Sequence, residues 1–204
     1  MPATAIAAPL FSWPLGPGVV LVPRTPLLAE AYHQLVVANL ERLATWEPWA
    51  LSRQNLQATR TFLEESGQAW LAGTEVPTAI AVRADDGPWR LVGSVTLRVD
   101  PSRRSAELGY WVDGGHEGRG LVTAGAGALL THAFGALGLE RASLHARADN
   151  VRSRAVATRL GFVEEGVARA AVAYPTRRYD EVGYGLLAAE WPGPPAAASR
   201  GSGR

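Results

Sequence analysis

His116-Glu117-Gly118-Arg119-Gly120-Leu121-Val122-Thr123 joins two segments of different periodicity, and its reading decides the fold. Upstream, Glu107-Leu108-Gly109-Tyr110-Trp111-Val112 has the β-rich alternation of a strand; downstream, Val122, Ala126, Leu129, Leu130, Ala133, Phe134 and Leu137 recur at the spacing of a buried helix face. The glycines therefore fall in a strand-to-helix turn. Backbone N–H groups in such a turn, with the free donors of the first helical turn, converge on one point and suit a phosphate or pyrophosphate. A tight turn with no ligand makes the same demand on the sequence, so the surroundings must decide between the two.

Two nucleotide-binding motifs are tested by the residues themselves. A Walker loop requires Gly-Lys-Ser/Thr, and this chain contains no lysine at all. A dinucleotide fingerprint requires a third glycine and a ribose-binding acid roughly 20 residues on. Position 123 is Thr, and Leu144-His145-Ala146-Arg147-Ala148 reaches no acid before Asp149. Neither motif fits.

Further along, Asp149-Asn150-Val151-Arg152-Ser153-Arg154 leads into a short helical pattern ending at Gly161-Phe162. Asn150 ends a strand, Ser153 lies where it caps or opens the helix, and Gly161 is placed as a left-handed stop. In this order of strand, glycine turn, helix, strand, Asn-x-x-Ser, helix and Gly-Phe, the chain resembles the GNAT superfamily of acyl-CoA-dependent N-acetyltransferases, and within it the RimJ/RimL-like branch. The likeness extends through Glu165–Arg169 and Tyr179–Leu187 to Glu190-Trp191, and back to Asn39–Leu43 and Trp46-Glu47-Pro48-Trp49.

Composition agrees with one α/β enzyme domain. The 204 residues are 47% apolar, enough for one substantial core, and no repeat interrupts them. With no cysteine there is no disulfide, thiolate metal site or sulfur nucleophile. A formal charge of +1 gives no global basic field and argues against nucleic acid as a partner. Of the local arginine clusters, Arg152/Arg154/Arg159 suits cofactor phosphates, and Arg103/Arg104/Arg177/Arg178 reads as solvated surface. No apolar run approaches the ~18 residues of a membrane span, and a secretory signal pattern is missing, so a cytoplasmic protein without membrane contact is expected.

Residues 1–18, rich in Ala, Pro and Gly, read as a flexible segment, and 192–204 as a disordered tail; the domain is expected over 19–191. Within it the pattern predicts strands at 19–22, 78–82, 91–99, 107–112, 144–148, 162–168 and 182–187, and helices at 27–43, 52–71, after the glycine turn, and at 153–160. The resemblance implies an α/β (α+β) GNAT fold: a mixed, mostly antiparallel sheet of about seven strands, splayed at its centre and flanked by about four helices.

It also implies where acetyl-CoA, the expected cosubstrate, would sit. The backbone of Trp111 and Val112 would pair with the pantetheine amides, and Glu117, Gly118, Arg119, Gly120, Leu121, Val122 and Thr123 would hold the pyrophosphate. Asn150 and Ser153 would line the other wall, a turn residue and a simple cap being their plainer reading. No metal is expected. Transfer to an amine needs a neutral nucleophile, a donor for the developing oxyanion and a proton for the leaving thiolate. Glu107 is the leading base, or else a strand-edge acid paired with an arginine. The amide of Val112 or a neighbour serves the oxyanion. The resemblance gives Ser153 the role of acid; Tyr110, Tyr174 and Tyr179 are reserve acids or packed aromatics.

The chain departs from the family pattern at Glu117, where Gln or Arg is common, at Val122, where a small residue is common, and at Ala170-Ala171-Val172-Ala173, which carries no acid. The acceptor pocket is expected at Trp46 and Trp49 with Tyr110 and Tyr174; two indoles and the acid between them suit a cationic or aromatic amine, or they pack a helix junction. The acceptor is either a protein α-amine, as on ribosomal proteins, or a small-molecule amine, taken by direct transfer in a ternary complex by a monomer or homodimer. The alternative is a degenerate GNAT domain that binds acyl-CoA or serves as an interaction module.

Overall fold

The computed structural model describes residues 4–194, so most of the tail expected at 192–204 lies outside the described residues. The strands are β1 (Ala5–Ile6), β2 (Trp13–Gly16), β3 (Val19–Pro23), β4 (Glu75–Val82), β5 (Trp89–Asp100), β6 (Ser105–Val112), β7 (Arg141–Arg147), β8 (Val163–Ala173) and β9 (Arg178–Leu187). The α-helices are α1 (Ala29–Ala38), α2 (Leu40–Trp46), α3 (Leu56–Leu71), α4 (Leu121–Gly135) and α5 (Val151–Arg159). All strands join one sheet in the order β2-β3-β4-β5-β6-β7-β9-β8, with β1 beside β5.

The sheet thus has nine strands, not about seven, and the two additional ones come from the segment before residue 19. Trp13, Pro14 and Gly16 pair with β3, and Leu15 packs on the main core. Ala5 and Ile6 pair with Arg90 and Trp89, beyond the point where β6, ending opposite Gly93, leaves that edge of β5 open.

Alternation along the strands divides the core between the two sheet faces. Ile80, Val95, Leu97, Leu108 and Leu144 pack under α4 and α5, while Ala79, Ala81 and Leu91 turn to Tyr32 and Leu35 of α1 and Leu63 of α3. A buried cation ties the second face together: Arg24 donates to Ser94, Ser66 and Glu75 at 2.7–2.9 Å and stacks on Phe62.

The helix expected over 27–43 is broken at Asn39, which leaves helical geometry at φ −112° and ψ 5°. Its buried side chain explains the break. The amide donates to the Leu35 carbonyl and to Asp113, and its oxygen accepts from the Gly114 backbone, so α1 and α2 are stitched to the loop after β6. The next helix begins at Leu56, because Asn55 supplies a side-chain cap to the Ala58 amide at 2.8 Å.

Every neighbouring pair in the sheet is antiparallel except β6 with β7. That parallel pair has three rungs, from Ser105 opposite Arg141 to Glu107 opposite Ser143. Beyond it β6 continues along β5 to Val112, and β7 continues along β9 to Arg147. The strands separate between these limits, which gives the central splay.

Candidate active site

The loop after β6 makes a short 3-10 turn at Gly114–His116 and then passes through two glycines in left-handed geometry, Gly118 at φ 72° and Gly120 at φ 74°. Gly120 is the N-cap of α4 and offers no side chain to the helix, and the first turn holds no acid. The first bond closing α4 runs from the Ala124 amide to the Gly120 carbonyl at 2.9 Å. The amides of Leu121, Val122 and Thr123 therefore precede the hydrogen-bonded helix, aligned with its dipole. The Val122 side chain is buried in the core beneath α4, so the residue that departs from the family pattern presents only backbone to an anion.

The charge of Glu117 is compensated in the free protein. Its carboxylate is clasped by Arg42 of α2, at 2.7 Å, and by Arg152 of α5. Arg42 also donates to the Val112 carbonyl and to Asn39, and its buried Nε has no partner among the described residues. Below the loop Asp113 accepts from Asn39 at 2.9 Å and contacts the His116 ring at 2.7 Å. Uncapped amides, two arginines and an orphaned guanidinium nitrogen fit the diphosphate of a coenzyme A.

The splay supplies the second element. The Asp113 amide bonds the Val92 carbonyl, and antiparallel alternation then turns the amides and carbonyls of Tyr110 and Val112 away from β5, toward the opening. The Tyr110 side chain lies on the α5 side, where its hydroxyl is 3.0 Å from the Ser153 Oγ and donates to the Ser153 carbonyl at 3.1 Å. Burial pushes the Tyr110 phenol up to about 12, with the Ser153 contact working against it. Asn150 is the N-cap of α5, accepting from the Ser153 amide at 3.0 Å, and Ser153 stands in the first turn. Two hydroxyls thus meet at the parting of the strands.

On the opposite face Trp111 packs toward α1, edge-on to Tyr32 with ring centroids 6.0 Å apart. Glu107 stands on the last rung of the parallel pair, half-exposed and ion-paired with Arg98 at 2.9 Å. The expected aromatic pocket is assembled, but around one of the chain's own residues. Arg147, at the end of β7, lies 4.9 Å from the Trp46 ring, 5.3 Å from Tyr174 and 3.5 Å from Tyr179, and its guanidinium grips Asp149 at 2.6 and 3.0 Å. Trp46 and Tyr174 therefore already hold a cation. Tyr110 sits across the sheet from them, with Ser153. Trp49 is separate and exposed, donating its indole N–H to Glu47 at 3.2 Å.

The structure accordingly brings together Trp111, Val112, the 117–123 loop, Asn150, Ser153 and Tyr110. It adds three side chains that sequence reasoning passed over: Asn39, Arg42 and Arg147. Asn39 and Arg42 lie in the Asn39–Leu43 stretch that carries part of the family likeness, but nothing local shows their partners until the loop after β6 is placed against them; Arg147 is one of several polar residues of β7 and carried no signal of its own.

Comparison with known proteins gives the same answer. Residues 19–163 match the acetyltransferase (GNAT) domain family. The chain is 35% identical over 175 residues, 82% of its length, to the putative ribosomal N-acetyltransferase YdaF of Bacillus subtilis (strain 168), 90% of which is covered. It is 36% identical over 157 residues, 74% of its length, to the ribosomal-protein-serine acetyltransferase of Escherichia coli (strain K12), 81% of which is covered. Among solved structures, Mycobacterium smegmatis RimJ in complex with CoA-disulfide superposes with a TM-score of 0.75 at 28% identity, covering 85% of this chain and 84% of that one. Taken with the uncapped glycine loop and the parted strands, these matches make the chain a member of the GNAT acetyltransferase domain family.

Proposed function

We propose that this protein transfers the acetyl group of acetyl-CoA to the α-amino terminus of a protein, the acceptor class being that of ribosomal proteins. One observation carries the catalytic part of this reading: the Tyr110–Ser153 hydroxyl pair stands where the pairing of β6 with β7 ends, beside backbone amides left free to bind a pantetheine arm. The acceptor part rests on two relatives, one named a putative ribosomal N-acetyltransferase and the other a ribosomal-protein-serine acetyltransferase.

Acetyl-CoA supplies an activated thioester. The chain's own residues would do the rest. The 118–123 amides, with Arg42 and Arg152, neutralise the diphosphate, and the open edge of β6 orients the arm. A Val112 or neighbouring amide donates to the carbonyl oxygen as negative charge develops there. As the amine nitrogen bonds to the carbonyl carbon and the C–S bond breaks, Ser153, hydrogen-bonded to Tyr110, gives a proton to sulfur. The proton lost by the amine leaves on the Trp111 face, where carboxylates stand.

The test is release of free coenzyme A thiol with a panel of acceptors at equal concentration: peptides with free N-termini, the same peptides blocked at the N-terminus, and small polyamines or aminoglycosides. Turnover is expected with the free peptides, with the acetyl group on the α-nitrogen by mass spectrometry. Turnover confined to small amines would overturn the acceptor class. Coenzyme uptake without turnover on any amine would favour a binding module.

A further inference from the structure

We propose that Glu47, and not Glu107, receives the ammonium group of the acceptor and takes its proton, which makes the acceptor site selective for a cationic primary amine arriving over the C-terminal end of α2. This assignment rests on the acetyltransferase reading above and adds a residue to it.

The placement of Glu47 follows from its neighbours. It is the C-cap of α2, turned out of the helix at φ −122° and ψ 109° and followed by Pro48. The end of α2 is pinned to β7, because Arg147 donates to the Thr45 carbonyl and lies under the Trp46 ring. From that anchor the Glu47 carboxyl feels Arg98 of β5 on one side and Glu181 of β9 on the other. The two strands lying between β5 and β9 are β6 and β7, the pair that parts. With the end of α2 fixed to the last residue of β7, beyond the last rung that β7 shares with β6, Glu47 belongs to the Trp111 side of the opening between the two strands.

Its chemistry suits the task. One oxygen, Oε2, is held by the Trp49 indole at 3.2 Å, and Oε1 has no protein donor among the described residues. Burial raises the carboxyl above the ordinary glutamate range and Glu181 adds to this, while the Trp49 N–H and Arg98 act against it. A carboxylate poised above its usual value is better matched to an ammonium proton than an unperturbed one. Glu107 stands at the closed end of the fork, already engaged by Arg98.

The charged and titratable groups around Glu47 also select the acceptor. Arg98 and its partner Glu107 come from β5 and β6. His145 of β7 lies 3.5 Å from Glu181 of β9, and the Tyr174 hydroxyl borders the site from the end of β8. Arg147 is matched by Asp149 and enclosed by aromatic rings. Three carboxylates, Glu47, Glu107 and Glu181, stand here against Arg98 and Arg177, the latter stacked on Tyr179 at 4.0 Å, a balance that still favours a cation. In the step itself the Glu47 Oε1 takes one proton from the ammonium nitrogen and gives it up to solvent. The neutral nitrogen bonds to the acyl carbon and sheds its second proton to the same carboxylate as the C–S electron pair goes to sulfur, and the Tyr110–Ser153 hydroxyls supply the thiol proton. Glu47 then releases its proton to solvent and the hydroxyl pair regains one.

Glu47→Gln tests the assignment, since its side-chain oxygen can still accept from Trp49. The expected result is a loss of kcat/KM for a free peptide of about 10²-fold or more. Coenzyme A affinity by calorimetry should stay within about twofold. The carboxylate limb should vanish from the pH–rate profile, so that the remaining rate follows the neutral fraction of the amine. Glu47→Asp should restore part of the rate and return the limb, which a packing role would not do. A Glu47→Gln enzyme with the wild-type rate and limb would overturn the proposal, as would a higher KM with kcat and profile unchanged, or loss of the limb in Glu107→Gln alone. Wild-type protein that binds the coenzyme but turns over no amine defeats the enzymatic reading first, and this assignment with it.

Discussion

Tyr110 and Ser153 are 43 residues apart in the chain and share a 3.0 Å contact at the centre of the molecule. Because each hydroxyl is polarised by the other, they act as one donor, and their substitutions are not independent. Ser153→Ala should lower kcat on the order of 10²-fold. Tyr110→Phe should lower it less, and the double variant should fall no further than Ser153→Ala, all with nearly wild-type affinity for coenzyme A. Steady-state kinetics on the four proteins, read as a cycle, checks this; full additivity would separate the two groups. At this scale the Asn-x-x-Ser spacing was legible, since a cap and a first-turn serine are local matters. The Tyr110 contact was not, because strand alternation says which face Tyr110 takes but not what meets it there. Trp46 and Tyr174 were read as an acceptor cage for a related reason: their types were right, and only the fold reveals that Arg147 fills the space between them.

Among the elements, α4 depends on its unusual entry. Gly120 sits at φ 74°, where an L side chain costs about 1–2 kcal/mol. Its replacement by Ala should lower the melting temperature by several degrees and weaken coenzyme binding by more than the stability loss explains, because relief of the strain re-aims the amides of 121–123. Thermal melts paired with calorimetry separate the two effects; unchanged affinity would mean that the loop amides do not hold the diphosphate. The strand-turn-helix order around α4 was readable because its periods differ so sharply. The split of α1 from α2 escaped the sequence, since Asn39 leaves the helix only to satisfy a loop more than seventy residues away. The strands β1 and β2 escaped it as well. A segment rich in Ala, Pro and Gly carries no period, and its ordering comes from open strand edges elsewhere, which composition does not report.

For the molecule as a whole, the seam between β6 and β7 is the thinnest of the central pairings, three rungs long where those on either side have eight and seven. A ligand lodged in the opening would complete the ladder. Acetyl-CoA at 100 times its dissociation constant should therefore stabilise the fold by about 2.7 kcal/mol. Amide exchange at Tyr110 and Val112, whose N–H groups face the opening, should slow most, with the pre-existing β7–β9 ladder little altered. Mass-spectrometric exchange with and without acetyl-CoA checks it, and equal protection spread over the molecule would place the ligand elsewhere.

Glu117 gives the free protein an anion of its own. Before any coenzyme arrives, Arg42 and Arg152 are already satisfied by that carboxylate. Docking of a diphosphate is then a trade between tenants for the same two guanidinium groups, and fewer counterions are shed than the number of arginines suggests. Affinity should fade only gently as ionic strength rises, so the enzyme would keep hold of its coenzyme across a wide range of salt.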